Sequence, residues 1–218
     1  MATVRVKVCG VTTPGDVRLA AALGADAVGV NFHPPSPRYV DPREAPRLLR
    51  EVPPFVVPVG VFVGLPMRRV CALAYQLGLR CVQWVGESPE AGDPFPFALL
   101  PAFRVRDRES LREITRYLGA CRQAGWSPGA VLVDAFVEGQ MGGTGRTAPW
   151  ELLADFDPGV PLVLAGGLTP ENVGAAVRRV RPAAVDVASG VESAPGRKDP
   201  EKLRRFIAAA REAAAALS

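Results

Sequence analysis

Eight short runs rich in β-branched residues, with helical stretches between them and no GxGxxG after the first run, predict an α/β fold of the closed (β/α)8 type, the TIM barrel. Near-continuous apolar runs alternating with helices mean a parallel sheet covered on its outer face. The spacing of roughly 27 residues per unit fits a closed ring of eight better than an open doubly wound sheet, which carries five or six strands and a dinucleotide fingerprint. All of residues 1–218 is expected to form a single barrel domain.

In chain order, VRVKVC (4–9) is the first strand, and Thr13-Pro14 places a cap residue before a proline to open a helix over 14–23. DAVGVNF (26–32) precedes a helix over 43–51, and FVVPVGVFV (55–63) precedes a helix over 66–77. RCVQWV (80–85) is followed by a Pro/Gly-rich interval, 87–96, that predicts a short or irregular fourth helix. FALLPAFRV (97–105), a helix over 107–124, AVLVDA (130–135) and a helix over 148–155 come next. VPLVLAG (160–166) leads to a helix over 170–180, again opened by a Thr-Pro pair, Thr169-Pro170. AVDVAS (184–189) and an Ala-rich helix over 198–216 close the ring.

With 48% hydrophobic residues the chain can bury a full core, and its formal charge of +4 points to anionic partners. The basic residues are scattered arginines, only Lys7, Lys198 and Lys202 being lysine, so a small anionic substrate is expected and nucleic acid is not. Four cysteines (Cys9, Cys71, Cys81, Cys121) without CxxC spacing, and no apolar leader after Met1, predict reduced thiols and a cytoplasmic location. No run approaches the length of a membrane span, so no membrane partner is expected. His33 is the sole histidine, which argues against a His-cluster metal site and a Ser-His-Asp triad.

Barrels of this type carry their chemistry where strands end in the C-terminal direction. The first strand ends in Cys9-Gly10, where a thiol is as readily packed as reactive; Cys71, Cys81 and Cys121 sit elsewhere and read as structural. Lys7 shares the face of Cys9 by period two. Asp134 ends an apolar strand, an unfavourable place for a carboxylate unless it is solvated, paired or used as an acid; a loop cap is the plainer alternative. Arg38 lies in a loop stiffened by Pro34, Pro35 and Pro37, suited to pre-positioning a guanidinium for a carboxylate, or is a plain surface arginine. Gly166, Gly167, Ser189 and Gly190 fall in the seventh and eighth loops, where backbone N–H groups can hold a phosphate, although tight turns alone also call for glycine. The GGTG segment at 142–145 has no Walker frame and reads as a flap over the site or a connector.

Taken together, "KVCGVTTPGDV", "FHPPSPRYV", "VLVDA", "GGTGRTAPW", "LAGGLTPENV" and "VDVASGVESAPGRKDPEKLRRF" resemble, in order and over nearly the whole chain, the phosphoribosylanthranilate isomerases of tryptophan biosynthesis. The resemblance implies an Amadori rearrangement of N-(5-phosphoribosyl)anthranilate to 1-(2-carboxyphenylamino)-1-deoxyribulose 5-phosphate, with no metal or organic cofactor. It implies Cys9 as general base, Asp134 as general acid, Arg38 on the anthranilate carboxylate, and Gly143, Gly166, Gly167, Ser189 and Gly190 around the substrate, the seventh- and eighth-loop residues on its phosphate. Gln83 is expected to make a polar contact to substrate. Where the family often reads Val-Gln-Leu-His-Gly, this chain has Val82-Gln83-Trp84-Val85-Gly86, so no histidine role carries over there. The expected partner is a small phosphorylated, carboxylate-bearing substrate, and the expected assembly a monomer or homodimer. Another phosphosugar enzyme on a phosphate-binding barrel, or a barrel that binds phosphate without catalysis, are the competing readings.

Overall fold

The computed structural model describes residues 3–86, 95–135 and 150–217. Strands β1 (Arg5–Cys9), β2 (Ala27–Asn31), β3 (Val57–Val63), β4 (Cys81–Val85), β5 (Ala98–Arg104), β6 (Val131–Asp134), β7 (Leu162–Ala165) and β8 (Ala184–Val187) form a closed barrel in sequence order. Every neighbouring pair is parallel, and β8 pairs back onto β1 with Lys7 opposite Asp186. Each of the eight runs expected from sequence is a strand. The expected short fourth helix falls mostly on 87–94, outside the described residues.

Alternation along the strands separates two cores. Val6 and Val8 of β1 are fully buried in the large outer cluster, which also holds Phe206, Leu203, Ile114 and Leu118 from the helices. Leu100, Leu132, Val163 and Ala165 form a separate inner cluster that fills the barrel. Lys7 and Cys9 have the phase opposite to Val6 and Val8, and Asp134 has the phase of Leu132, so all three belong to the interior and its C-terminal mouth.

The helices are α1 (Pro14–Ala22), α2 (Ala45–Leu49), α3 (Met67–Gln76), α4 (Arg108–Gln123), α5 (Trp150–Ala154), α6 (Val173–Val180) and α7 (Pro200–Ala215). Thr13 caps α1 as expected, its hydroxyl accepting from the Asp16 N–H at 3.1 Å. The second Thr-Pro pair behaves differently: Asn172 occupies the cap of α6, and Thr169–Asn172 is a turn in which Thr169 Oγ1 accepts from Glu171 N. The expected helix over 43–51 shortens to five residues.

The last helix also begins later than 198. Asp199 caps it, accepting from the N–H groups of Glu201 and Lys202. Ahead of it, Ser189–Val191 forms a short 3-10 turn, and β9 (Glu192–Ala194) pairs antiparallel with β10 (Arg197–Lys198). The hairpin lies against the mouth of the barrel, where Thr12 Oγ1 donates to the Gly196 carbonyl at 2.6 Å. Among the described residues no helix is long and apolar enough to cross a membrane.

Candidate active site

Three polar side chains meet inside the barrel beneath Cys9. Lys7 Nζ donates to Asp186 Oδ1 at 2.8 Å and to Gln83 Oε1 at 2.9 Å, and all three residues are buried. Because β1 and β8 close the ring, the two charges are neighbours in space although 179 residues apart in sequence. Burial works to lower the Lys7 pKa, but the Asp186 carboxylate and then the Cys9 thiol outweigh it, so the lysine holds its proton more tightly than a free one.

The Cys9 thiol sits at the top of this network. It lies close to Gly29 of β2, where a methyl group would stand 2.9 Å from Sγ and 3.2 Å from Lys7 Nζ. Burial pushes the thiol pKa up, Lys7 pulls it down, Asp186 pushes it up again and Lys198 pulls it down; the net direction is up. Lys7 therefore does reach the thiol, as period two suggested, but it offsets the cost of burial only in part.

Arg38 is placed by the proline-rich loop after β2. Ser36 Oγ accepts from the Arg38 N–H and from Asn31 Nδ2, while the Val40 N–H returns to the Asn31 carbonyl, so the loop is tied at both ends. Its side chain crosses Gly10, where a methyl would stand 2.3 Å from Arg38 Cδ; with φ of +71° there, glycine is required on two counts. Arg38 Nε and Nη2 then donate to the two oxygens of Glu192 at 2.8 and 2.7 Å. Lys198 Nζ also donates to Glu192 Oε1 at 2.9 Å, and to the carbonyls of Cys9 and Ala188. Burial would raise the Glu192 pKa, but the bonds from Arg38 and Lys198 outweigh it and hold the carboxyl below its ordinary value.

Asp134 is half-buried at the end of β6, in register with Arg104 of β5 and Ala165 of β7. Gly166 and Gly167 leave β7 with positive φ, and Ser189 stands exposed at the start of the 3-10 turn. Gly190 is pressed against the seventh loop: a methyl there would fall 1.9 Å from the Leu168 carbonyl oxygen. Close loop packing thus accounts for Gly190 on its own, and it also sets the two loops side by side. Gly143 and the GGTG segment lie outside the described residues. Among the described residues, no group of three or more His, Cys, Asp or Glu is arranged to hold a metal ion.

The family model described as N-(5'phosphoribosyl)anthranilate (PRA) isomerase matches residues 6–209. The chain belongs to this family. It is 45% identical to the N-(5'-phosphoribosyl)anthranilate isomerase of Geobacter sulfurreducens over 94% of this chain and 97% of the relative. The Trichlorobacter lovleyi isomerase is 44% identical over 96% of this chain and 99% of its own. Among solved structures, the Thermotoga maritima phosphoribosyl anthranilate isomerase superposes with a TM-score of 0.81 at 36% identity, covering 96% of this chain and 99% of that one. A phosphoribosyl anthranilate isomerase in complex with reduced 1-(o-carboxyphenylamino)-1-deoxyribulose 5-phosphate superposes with a TM-score of 0.79 at 35% identity, over 96% and 99% of the two chains.

For a member of the isomerase family, Lys7, Asp186, Glu192 and Lys198 are the additions that sequence reasoning did not assign. Asp186 carried a legible signal, a carboxylate in the inward phase of an apolar strand. Glu192 and Lys198 carried none, because the first lies in a loop and the second at what reads as a helix start, and neither residue type is unusual there. Gln83, expected to contact substrate, is buried in the barrel with its side-chain oxygen accepting from Lys7. Trp84, by contrast, faces outward, its Nε1–H donating to the Leu65 carbonyl at 3.3 Å. Val85 is exposed at the end of β4.

Proposed function

We propose that this chain catalyses the Amadori rearrangement of N-(5'-phosphoribosyl)anthranilate, working as a single barrel over residues 1–218, with Cys9 as general base and Asp134 as general acid. The observation that carries this reading is their placement: both end barrel strands, and both have the inward phase at the C-terminal mouth. Asp134 gives a proton to the furanose ring oxygen as the bond from that oxygen to the anomeric carbon breaks, and the nitrogen lone pair forms the iminium. Cys9 then takes the proton from the second carbon, whose electrons flow into the iminium to give an enolamine. Ketonisation moves the hydroxyl proton to the first carbon, so atoms balance with no external oxidant or reductant. The iminium is the electron sink, and its positive charge next to Cys9 favours the thiolate at the step where a base is needed.

Arg38 binds the anthranilate carboxylate, and Gly166, Gly167, Ser189 and Gly190 hold the phosphate between the seventh and eighth loops. Gln83 supports the site from below through Lys7. The partner is the small phosphorylated substrate, with neither nucleic acid nor membrane involved; the enzyme is cytoplasmic, and monomer or homodimer is decided by light scattering at working concentration.

The test is turnover of freshly generated phosphoribosylanthranilate, followed by loss of its fluorescence, in wild type, Cys9→Ala and Asp134→Asn. Each variant is expected to lose about 10²- to 10⁴-fold in kcat. Undiminished turnover in either one removes that residue's role.

A further inference from the structure

The β9–β10 hairpin brings to the mouth a carboxylate and a lysine that the proposed chemistry leaves unused. Glu192 receives the Nε–H and an Nη2–H of Arg38, which is the side-on fork of the guanidinium. A guanidinium has five N–H groups, so the end-on fork, with an N–H on each terminal nitrogen, is not consumed by Glu192. The Lys198 side chain is wholly buried, and Glu192 shares one oxygen with it. Two cations and one anion leave the assembly with a net charge of +1. Arg38 and Glu192 alone would be neutral, and an incoming carboxylate would meet no net attraction. The same Lys198 Nζ grips the carbonyl of Cys9 at 2.7 Å, which ties the clamp to the end of β1.

We propose that Glu192 and Lys198 are positioning residues for substrate selection: Glu192 fixes the side-on fork of Arg38 so that the end-on fork receives a carboxylate, and Lys198 keeps the assembly cationic. The inference rests on the reading of Arg38 as the carboxylate clamp. It makes the preference for a carboxylated aniline over a plain one a property of three residues from two loops, although a single one of them touches the substrate. A guanidinium held in one orientation loses less freedom when it binds, so the effect falls on binding rather than on the chemical step.

The experiment compares two substrates, the amines formed from ribose 5-phosphate with anthranilate and with aniline, on wild type, Glu192→Gln, Arg38→Ala and Arg38→Lys. Thermal melts establish that each variant is folded. Gln at position 192 keeps the shape of the side chain but can no longer accept both N–H groups through a charged fork. In Glu192→Gln the KM for the anthranilate adduct is expected to rise about tenfold or more with kcat little altered, while the aniline adduct keeps its constants. A proportional loss on both adducts, or an intact preference, overturns the proposal, since either marks Glu192 as general support. Should Glu192→Gln fail to fold, Arg38→Lys decides: it keeps the charge but has no second fork, and retention of the preference overturns the proposal. Preference retained in Arg38→Ala shows instead that the clamp lies elsewhere; the proposal then falls with the reading of Arg38, an outcome distinct from failure at Glu192 alone.

Discussion

Replacing Lys7 by Met tests the buried network under Cys9 most directly, because the structure specifies two separate consequences. Lys7 is the cation hydrogen-bonded to Asp186, and both are almost wholly removed from solvent. Removing a single partner of a buried pair leaves an uncompensated charge and costs about 3–5 kcal/mol. The attraction of the Lys7 ammonium for the Cys9 thiolate, which pulls the thiol pKa down against the cost of burial, is lost at the same time. Asp186 itself pushes the thiol up, so a higher Cys9 pKa is expected in the variant. Urea unfolding measures the stability change; the pH dependence of Cys9 alkylation, read by peptide mass spectrometry, measures the thiol. The double variant Lys7→Met/Asp186→Asn removes both charges and should recover most of the stability while leaving alkylation shifted upward. A loss below about 1 kcal/mol in the single variant, or no recovery in the double one, would refute the account of a buried pair whose members depend on each other.

Three further outcomes are expected. Lys7, Cys9, Tyr117 and Cys121 all have folded-state pKa values raised above their ordinary ones, Cys121 to about 11; burial raises the two thiols and the phenol, while at Lys7 burial lowers the value and Asp186 and the Cys9 thiol outweigh it. Above about pH 9 the unfolded chain therefore releases protons that the folded one keeps, and stability measured by denaturant titration should fall as pH rises, having been fully present below that range. Gly10→Ala puts a methyl at φ +71° and against Arg38 Cδ; it should cost about 1–2 kcal/mol and raise KM for the carboxylated substrate, as steady-state kinetics on the folded variant will show. Phe206→Ala in α7 empties a fully buried site between helix and barrel and should cost about 3–5 kcal/mol by chemical denaturation.

Much of this was legible in the chain itself because the relevant physics is local. Alternation in VRVKVC put Lys7 and Cys9 on one face, and in the structure that face turns into the barrel while Val6 and Val8 pack outside it. Thr13-Pro14 opened a helix for a reason contained in four residues, an orphan N–H met by a hydroxyl. The second Thr-Pro pair did not cap α6, since Asn172 lies nearer the helix and Thr169 is drawn into the turn that follows the seventh strand. Boundaries decided by such competition between adjacent turns are hard to read from residue types.

The strand count, the strand-end positions of Cys9 and Asp134 and the family motifs were determined by sequence alone, since each depends on neighbours within a few residues or on the order of segments. Closure of the ring, which joins Lys7 to Asp186, and docking of the β9–β10 hairpin, which brings Lys198 to the Cys9 carbonyl and Glu192 to Arg38, were decided only in three dimensions. Glu192 and Lys198 are ordinary surface residues by type. Their burial depends on what packs over them, and no local pattern encodes a partner 154 residues away.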